Sequence, residues 1–502
     1  MGPAVGTSIA WRMQGQPQRS LDALEGVEPS LDGASRSLGW LLEGLNPEQA
    51  KAVAHPGGPL LVIAGAGSGK TTVLTRRIAW LVSSGRCRPS GVLAITFTNK
   101  AAEEMRSRVH SLLGPAAERM WVSTFHAACV RILRSEAGRL GLRSNFGIYD
   151  QADSVRLVGY VVRDLGLDAK KYPPRSLATQ ISAAKNDLVD FETLADRART
   201  PMERRVAEVY RLYSRRLLEA NAVDFDDLLL LSVNLLEGFP EVLDKYRRRF
   251  GAVLVDEYQD TNRAQNELVL LLGGEHRQVT VVGDSDQSVY RWRGADIRNI
   301  LEFERAFPDA TVVVLEQNYR STAVVLDAAN AVISNNVSRK PKALWTQRQG
   351  GDPIAVYFAE DEHDEARWVA DRIASLHLGT KGTSEEAGRL YDWGEIAIFY
   401  RTNAQSRAIE EELVSRNFPY RVVGGTRFYD RREVKDLLAY LKAVANPDDE
   451  VSLKRILNVP KRGVGDTTVA RLEQWCRAEG ASFAEAVARA EQAGVGGRAL
   501  AG

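Results

Sequence analysis

Cysteine is scarce and scattered: Cys87, Cys129 and Cys476 form no Cys-x-x-Cys pair and have no histidines at zinc-finger spacing. That argues against a disulfide framework and against a structural metal cluster. Net charge is nearly absent as well, with 66 Lys plus Arg against 65 Asp plus Glu. A nucleic-acid partner is therefore not announced by a global basic excess and has to be argued from local motifs. No apolar run is long enough to cross a bilayer. The first residues carry neither a basic cap ahead of an apolar stretch nor an Arg-rich amphipathic pattern, and Gly6 stands where a myristoylation signal needs Ser or Thr. The expectation is a cytoplasmic protein with no membrane partner.

What is present is an ordinary globular composition, 44% hydrophobic and 26% charged, over 502 residues, too many for a single core. Residues 1–44 mix Gly, Pro, Ser and Gln without periodicity and read as a flexible extension. Beyond them, short β-branched runs at 60–64, 92–98, 252–255, 279–282 and 311–315 alternate with helical stretches. Such nearly continuous apolar strands are buried on both faces, so the fold class is α/β with a parallel sheet wrapped by helices. The pattern turns helical at 133–230, which reads as an insertion. Further apolar runs at 353–359, 395–400 and 420–423 suggest a second α/β core, interrupted by a polar loop at 379–389. Three strands make a thin sheet, so this second core reads as incomplete.

The run Leu60-Leu61-Val62-Ile63, the turn Ala64-Gly65-Ala66-Gly67-Ser68-Gly69 and the helix start Lys70-Thr71-Thr72 stand in the order strand, loop, helix. That is the order of a P-loop, in which glycines let backbone N–H groups converge on phosphates, Lys70 reaches the outer phosphates and the Thr71 hydroxyl can hold Mg2+. Ala64 replaces the usual first Gly. The strand 252–255 delivers Asp256 and Glu257 at its carboxyl end, where ligands of parallel sheets sit. Asp256 then binds the magnesium through water and Glu257 polarises the water that attacks the γ-phosphate. Alone, such a pair is more often a helix N-terminal charge pair; with the loop upstream, the catalytic reading is the better one. The strand 279–282 ends in a polar turn whose Gln287 can sense the γ-phosphate or serve simply as a turn residue.

These residues resemble the superfamily I DNA helicases of the UvrD, Rep and PcrA type, closest to the PcrA/UvrD branch. Leu45-Asn46-Pro47-Glu48-Gln49 is similar to the family's Q motif, and Thr96-Phe97-Thr98-Asn99-Lys100 and Thr124-Phe125-His126 to its first DNA-contact motifs. Asp224-Phe225-Asp226-Asp227, Val255-Asp256-Glu257-Tyr258-Gln259-Asp260 and Gly283 to Ala295 follow in family order, then Gln317-Asn318-Tyr319-Arg320-Ser321 and Tyr400-Arg401-Thr402-Asn403. Gly424-Gly425-Thr426-Arg427-Phe428-Tyr429 and Pro460-Lys461-Arg462-Gly463-Val464-Gly465 resemble the PcrA/UvrD branch.

The resemblance implies two RecA-like cores: a first at 45–118 and 223–312 around a helical insertion at 119–222, and a partial second at 313–445. Residues 446–502 then begin a second helical insertion. It implies an ATP- and Mg2+-dependent 3′ to 5′ helicase or translocase of DNA repair or replication, acting on single-stranded DNA and on junctions of single and double strands. Lys70, Asp256, Glu257, Gln287 and Arg320 would be catalytic. Gln49, the loop 64–72, Tyr319 and Arg320 would bind the nucleotide, with Thr71 and Asp256 at the metal. Phe97, Asn99, His126, Phe225, Tyr290, Trp292 and Arg293 would meet the strand, aromatic rings suiting sequence-independent stacking. The clusters Arg247-Arg248-Arg249 and Arg339-Lys340-Pro341-Lys342 read as solvated surface.

The family's Thr-x-His-x-x-Lys-Gly-Leu-Glu motif and its later arginine motif do not occur before Gly502. The chain is therefore expected to be a truncated product, half of a split gene or a fragment, able to bind ATP but weak in hydrolysis and not unwinding alone. An ATP-switched DNA-binding module without unwinding activity is the alternative.

Overall fold

The structure is a computed structural model that describes residues 38–291, 294–336, 339–340, 342–378, 391–423 and 431–501. Its contacts divide into two units. The first runs to Asn318 and takes in Asn336–Ala343; the second comprises Tyr319–Asn335 and the residues from Leu344 onward.

Strands of the first unit include β1 (Leu60–Ala64), β2 (Val92–Thr96), β3 (Trp121–Thr124), β4 (Gly147–Tyr149), β5 (Ala222–Asp224), β6 (Ala252–Val255), β7 (Val279–Gly283) and β8 (Thr311–Leu315). Six of them form one sheet in the order β3-β2-β6-β7-β1-β8. Every pairing is parallel, with Leu60 opposite Thr280 and Thr311, and Val92 opposite Ala252. Alternation along the strands fills two cores. Leu61, Ile63, Leu93, Ile95, Val253 and Val255 face one layer of helices, while Leu60, Val62, Val92, Ala94, Ala252 and Leu254 face the other. Each such buried aliphatic side chain contributes roughly 1.5–3 kcal/mol, so a sheet covered on both faces is a rigid platform. Because all six strands point the same way, their carboxyl ends share one edge, and the functional turns leave from it.

The helices that matter here are α1 (Pro47–Ala54), α2 (Lys70–Ser83), α3 (Asn99–Leu113), α4 (Phe125–Glu136), α5 (Gln151–Asp164), α6 (Pro174–Asn186), α7 (Phe191–Arg197), α8 (Pro201–Glu219) and α9 (Phe225–Gly238). Several start on a side-chain cap: at the sheet edge Thr98 accepts from the Ala101 N–H at 3.1 Å and Thr124 from Ala127 at 3.3 Å, and after β5 Asp224 accepts from Asp227 at 2.8 Å. Helices α5–α8 supply the inserted helical layer, with Leu157, Val161, Leu177, Val209 and Tyr213 buried. The small parallel pair β4 and β5 ties this layer to α9.

An ion cluster closes that junction. The Lys185 Nζ lies 2.7 Å from Asp224 Oδ2 and 2.7 Å from Asp227 Oδ1, the Tyr213 hydroxyl donates to Asp224 at 2.7 Å, and the Lys185 side chain is 1% exposed. Burial by itself would lower the Lys185 pKa, but the facing carboxylates reverse this and keep the ammonium charged.

In the second unit the described helices include Ala323–Ile333, Glu362–Leu378, Ser406–Ser415, Arg432–Ala445 and Asp466–Glu479. Residues 353–359, 395–400 and 420–423, expected as strands, form no β-ladder among the described residues. Phe358 and Phe399 there are 92% and 93% exposed. A strand persists through backbone pairing with a neighbour, and apolar composition alone does not supply one. The expected polar loop at 379–389 lies outside the described residues. No described helix is long and apolar enough to cross a membrane.

Lys185→Met would leave Asp224 and Asp227 buried without their cation. The expected loss is about 3–5 kcal/mol, read as a lower urea unfolding midpoint, whereas a loss below about 1 kcal/mol would show that the cluster does not hold the junction.

Candidate nucleotide site and nucleic-acid groove

The turn after β1 is built for close approach. Gly67 and Gly69 have φ of 69° and 87°, a region that side-chain-bearing residues seldom enter. A Cβ on Gly69 would meet Gln49 Nε2 at 2.8 Å. That amide donates to the Ser68 carbonyl at 2.8 Å, while its oxygen accepts from the Asn46 N–H at 3.1 Å. Gln49 therefore caps α1 and braces the loop at once. The Ser68 hydroxyl donates to the Gly65 carbonyl at 2.8 Å, and the Asn318 amide donates to the Ala66 carbonyl at 2.6 Å. With its shape set by these contacts, the loop leads into the N-terminus of α2, where free N–H groups and the helix dipole favour an anion.

Lys70, the first residue of α2, reaches across the edge. Its Nζ lies 2.9 Å from Glu257 Oε2 and 3.4 Å from Gln287 Oε1. Glu257 has φ 49° and ψ 47°, a left-handed conformation costly for a residue with a Cβ and of a kind that gathers at functional sites. Gln259, 1% exposed, links the two acidic turns. Its amide donates to Glu257 Oε2 at 2.9 Å and its oxygen accepts from the Asp284 N–H at 2.8 Å. Asp284 Oδ2 in turn accepts from the Gln287 amide at 2.6 Å. The bonds form a ring: Lys70, Glu257, Gln259, Asp284, Gln287 and back to Lys70.

Burial, with the Glu257 charge beside it, pushes the Asp256 pKa up to about 7 against the pull of Lys70. A buried carboxylate destabilised in its charged form is a site that a dication would relieve. No group of three or more His, Cys, Asp or Glu gathers as a metal cage among the described residues.

A groove of about 770 Å³ opens beside this site, between the sheet edge and the inserted helices. Phe97, His126, Phe225, Asn186 and Asn262 line it. Phe225 is 50% exposed. Phe97 stacks on Tyr290 with centroids 4.8 Å apart, and His126 meets Phe225 edge-on at 5.7 Å. Burial lowers the His126 pKa, so the ring is neutral near pH 7. Of the described lining residues only Arg175 is cationic, while Asp224, Asp226 and Asp260 are acidic. Asp226 accepts from the Asn186 amide at 2.9 Å, and Asp224 is held by Lys185. The floor of the groove thus offers ring faces and amides more than phosphate-binding charge.

Comparison with known families decides what these paired sites belong to. Residues 45–308 match the model of the UvrD/REP helicase N-terminal domain, and residues 313–491 match that of the UvrD-like helicase C-terminal domain. The chain belongs to the UvrD/REP helicase family.

It is 50% identical over 459 residues to the ATP-dependent DNA helicase PcrA of Bacillus subtilis, covering 91% of this chain and 61% of that protein. It is 52% identical over 463 residues to the ATP-dependent DNA helicase UvrD1 of Mycobacterium tuberculosis, covering 90% of this chain and 59% of the relative. With PcrA of Staphylococcus aureus the identity is 48% over 455 residues, covering 91% and 61%. The chain thus spans about three-fifths of the length of the curated relatives it matches.

Within this UvrD/REP chain the structure brings Gln49, the loop 64–72, Lys70, Glu257 and Gln287 to one edge, with Asp256 beside Glu257. Phe97, His126 and Phe225 line the groove, Tyr290 stacks on Phe97, and Asn99 is exposed in the first turn of α3. Trp292, Arg293 and the segment 424–429 lie outside the described residues. Tyr319 and Arg320 belong to the second unit, where both are exposed and the Arg320 carbonyl accepts from Arg348 at 2.7 Å.

One expectation is corrected. In the cluster Arg339-Lys340-Pro341-Lys342, read as solvated surface, the Lys342 side chain is 2% exposed and paired with Asp284 and Asp286. The second basic run is also engaged: Arg247 donates to the Leu271 carbonyl at 2.9 Å, and Arg249 covers the Trp121 ring at 4.7 Å. Charge density cannot separate a solvated lysine from one that carboxylates far away in sequence draw inward. Gln259 was given no role from sequence, although a glutamine directly after Tyr258 in a buried turn was the signal available.

Gly69→Ala forces a Cβ into a left-handed position and against Gln49. Its nucleotide affinity is expected to fall at least about tenfold while unfolding stability drops by only about 1–2 kcal/mol. Titration with a fluorescent ADP alongside thermal unfolding checks both, and unchanged affinity would remove the loop from the site.

Proposed function

We propose that this chain is the ATP-binding, strand-gripping part of a 3′ to 5′ DNA helicase that hydrolyses ATP as it moves along single-stranded DNA. The observation that carries the reading is Lys70 set between Glu257 and Gln287 at the end of a phosphate-binding turn. In the free chain the Lys70 ammonium partly neutralises Glu257. Incoming β- and γ-phosphates compete for that ammonium, which frees the Glu257 carboxylate to accept a proton from water. The water oxygen forms the new bond to the γ-phosphorus, the bond to the β-bridging oxygen breaks, and ADP leaves with phosphate. Magnesium, held by Thr71 and Asp256, supplies positive charge to the phosphates when bound. Gln287 reads the γ-phosphate. Tyr319 and Arg320 keep their proposed roles toward the base and the γ-phosphate.

Phe97, His126, Phe225 and Tyr290 grip bases by their faces, with Asn99, Trp292 and Arg293 as further contacts. Stacking on rings tolerates any sequence, as a motor requires. Junctions of single and double strands are the proposed substrate, and DNA repair or replication the proposed setting.

Lys70→Ala is expected to abolish single-strand-stimulated phosphate release. Phe225→Ala should weaken oligo-dT binding by about 1–3 kcal/mol without changing the slope of log affinity against log salt, since a ring releases no counterions. Fluorescence anisotropy measures the affinity, and an unchanged affinity for Phe225→Ala would overturn the stacking contact.

A further inference from the structure

The segment Asn336–Ala343 is flanked in sequence on both sides by residues of the second unit, yet its own contacts belong to the first. Its described residues run along the turn after β7 and hold that turn residue by residue. Arg339 Nη1 lies 3.0 Å from Asp286 Oδ2, the Lys340 N–H donates to Ser285 Oγ at 3.4 Å, and Lys342 Nζ pairs with Asp284 Oδ1 and Asp286 Oδ2. Arg339 also donates to the Lys342 carbonyl at 2.7 Å, and the Ala343 N–H donates to Glu316 at 2.9 Å, so the strap is anchored at both ends.

Asp284 is the pivotal partner. One of its oxygens meets Lys342, the other accepts from the Gln287 amide at 2.6 Å, and its N–H donates to Gln259 at 2.8 Å. The side chains of Lys342 and Asp284 are each 2% exposed. Desolvating such a pair is costly, and apolar residues of similar volume would close a purely structural contact at least as well. What a charge contributes here is orientation. It fixes the Asp284 carboxylate, which fixes the Gln287 amide, whose oxygen then faces Lys70.

We propose that Lys342 is a positioning residue of the nucleotide site: through Asp284 it holds Gln287 ready to tell ATP from ADP. The seating of Arg339, Lys340 and Lys342 on the turn after β7 thereby governs γ-phosphate discrimination. The inference rests on the ATP-site reading above. Lys342 touches no reacting atom in this scheme and acts only through Asp284.

The test is equilibrium titration of the full 502-residue chain with fluorescent ADP and a non-hydrolysable fluorescent ATP analogue in Mg2+, with folding checked by circular dichroism. Lys342→Met is expected to lower the preference for the ATP analogue over ADP about tenfold while ADP affinity stays within about twofold. Gln287→Ala should show a similar loss, and the double variant should be no worse than Gln287→Ala alone, the signature of action through one residue. Lys342→Arg keeps the buried cation, and with it the fold, but alters the bridge; a loss of about threefold is expected. Should Lys342→Met fail to fold, the same cycle with Lys342→Arg decides. An unchanged preference in the folded variants, or losses that multiply in the double variant, overturns the proposal. A wild-type chain that binds neither nucleotide instead overturns the ATP-site reading, so the two failures are distinguishable.

Discussion

The Lys70 ammonium, 2.9 Å from Glu257 and largely withdrawn from water, is the interaction on which the nucleotide site depends. In low dielectric a cation must be matched, and here the match is a carboxylate in a strained left-handed turn together with a neutral amide. The ring through Gln259, Asp284 and Gln287 distributes that constraint over the turns after β6 and β7. No member can move without loosening another. On the proposed reading, phosphate arriving at the loop would compete with an existing partner of Lys70, and the disturbance would pass to residues well outside the loop.

The parallel sheet is what makes such a ring possible. Strands β1, β2, β3, β6 and β7 end on one edge, so the phosphate loop, the acidic turns and the groove-facing Phe97 and His126 arise side by side from distant parts of the sequence. Gln287 and Tyr290 lie three residues apart on one turn. The first faces Lys70 and the second stacks on Phe97 at 4.8 Å. With the roles proposed for these two residues, a shift of that turn would reach both nucleotide and strand with no relay through the core.

Motifs with a local mechanism were legible in the chain. Gly67, Gly69 and Lys70 could be read because backbone conformation and helix start are dictated by neighbours, and the apolar runs of β1, β6 and β7 because double-sided burial leaves a continuous hydrophobic signature. The apolar runs at 353–359, 395–400 and 420–423 carry the same signature yet make no ladder among the described residues, since pairing depends on a partner strand that composition cannot specify. Lys342 shows the converse. Inside a basic tetrad it looks like surface, and only the proximity of Asp284 and Asp286, more than fifty residues upstream, makes it a buried ion-pair partner.

The sequence by itself determined the phosphate loop, the order of acidic and aromatic motifs and the family they belong to, because each is a matter of residue type at short spacing. Tertiary structure alone decided that Gln259 joins two acidic turns, that Gln49 braces the loop it caps toward, that Lys185 locks α9 against the inserted helices, and that Arg339, Lys340 and Lys342 seat on the turn after β7. These are contacts between groups far apart in the chain. Their energies depend on burial and on distances of a few ångströms, quantities that exist only once the sheet has brought its strand ends to a common edge.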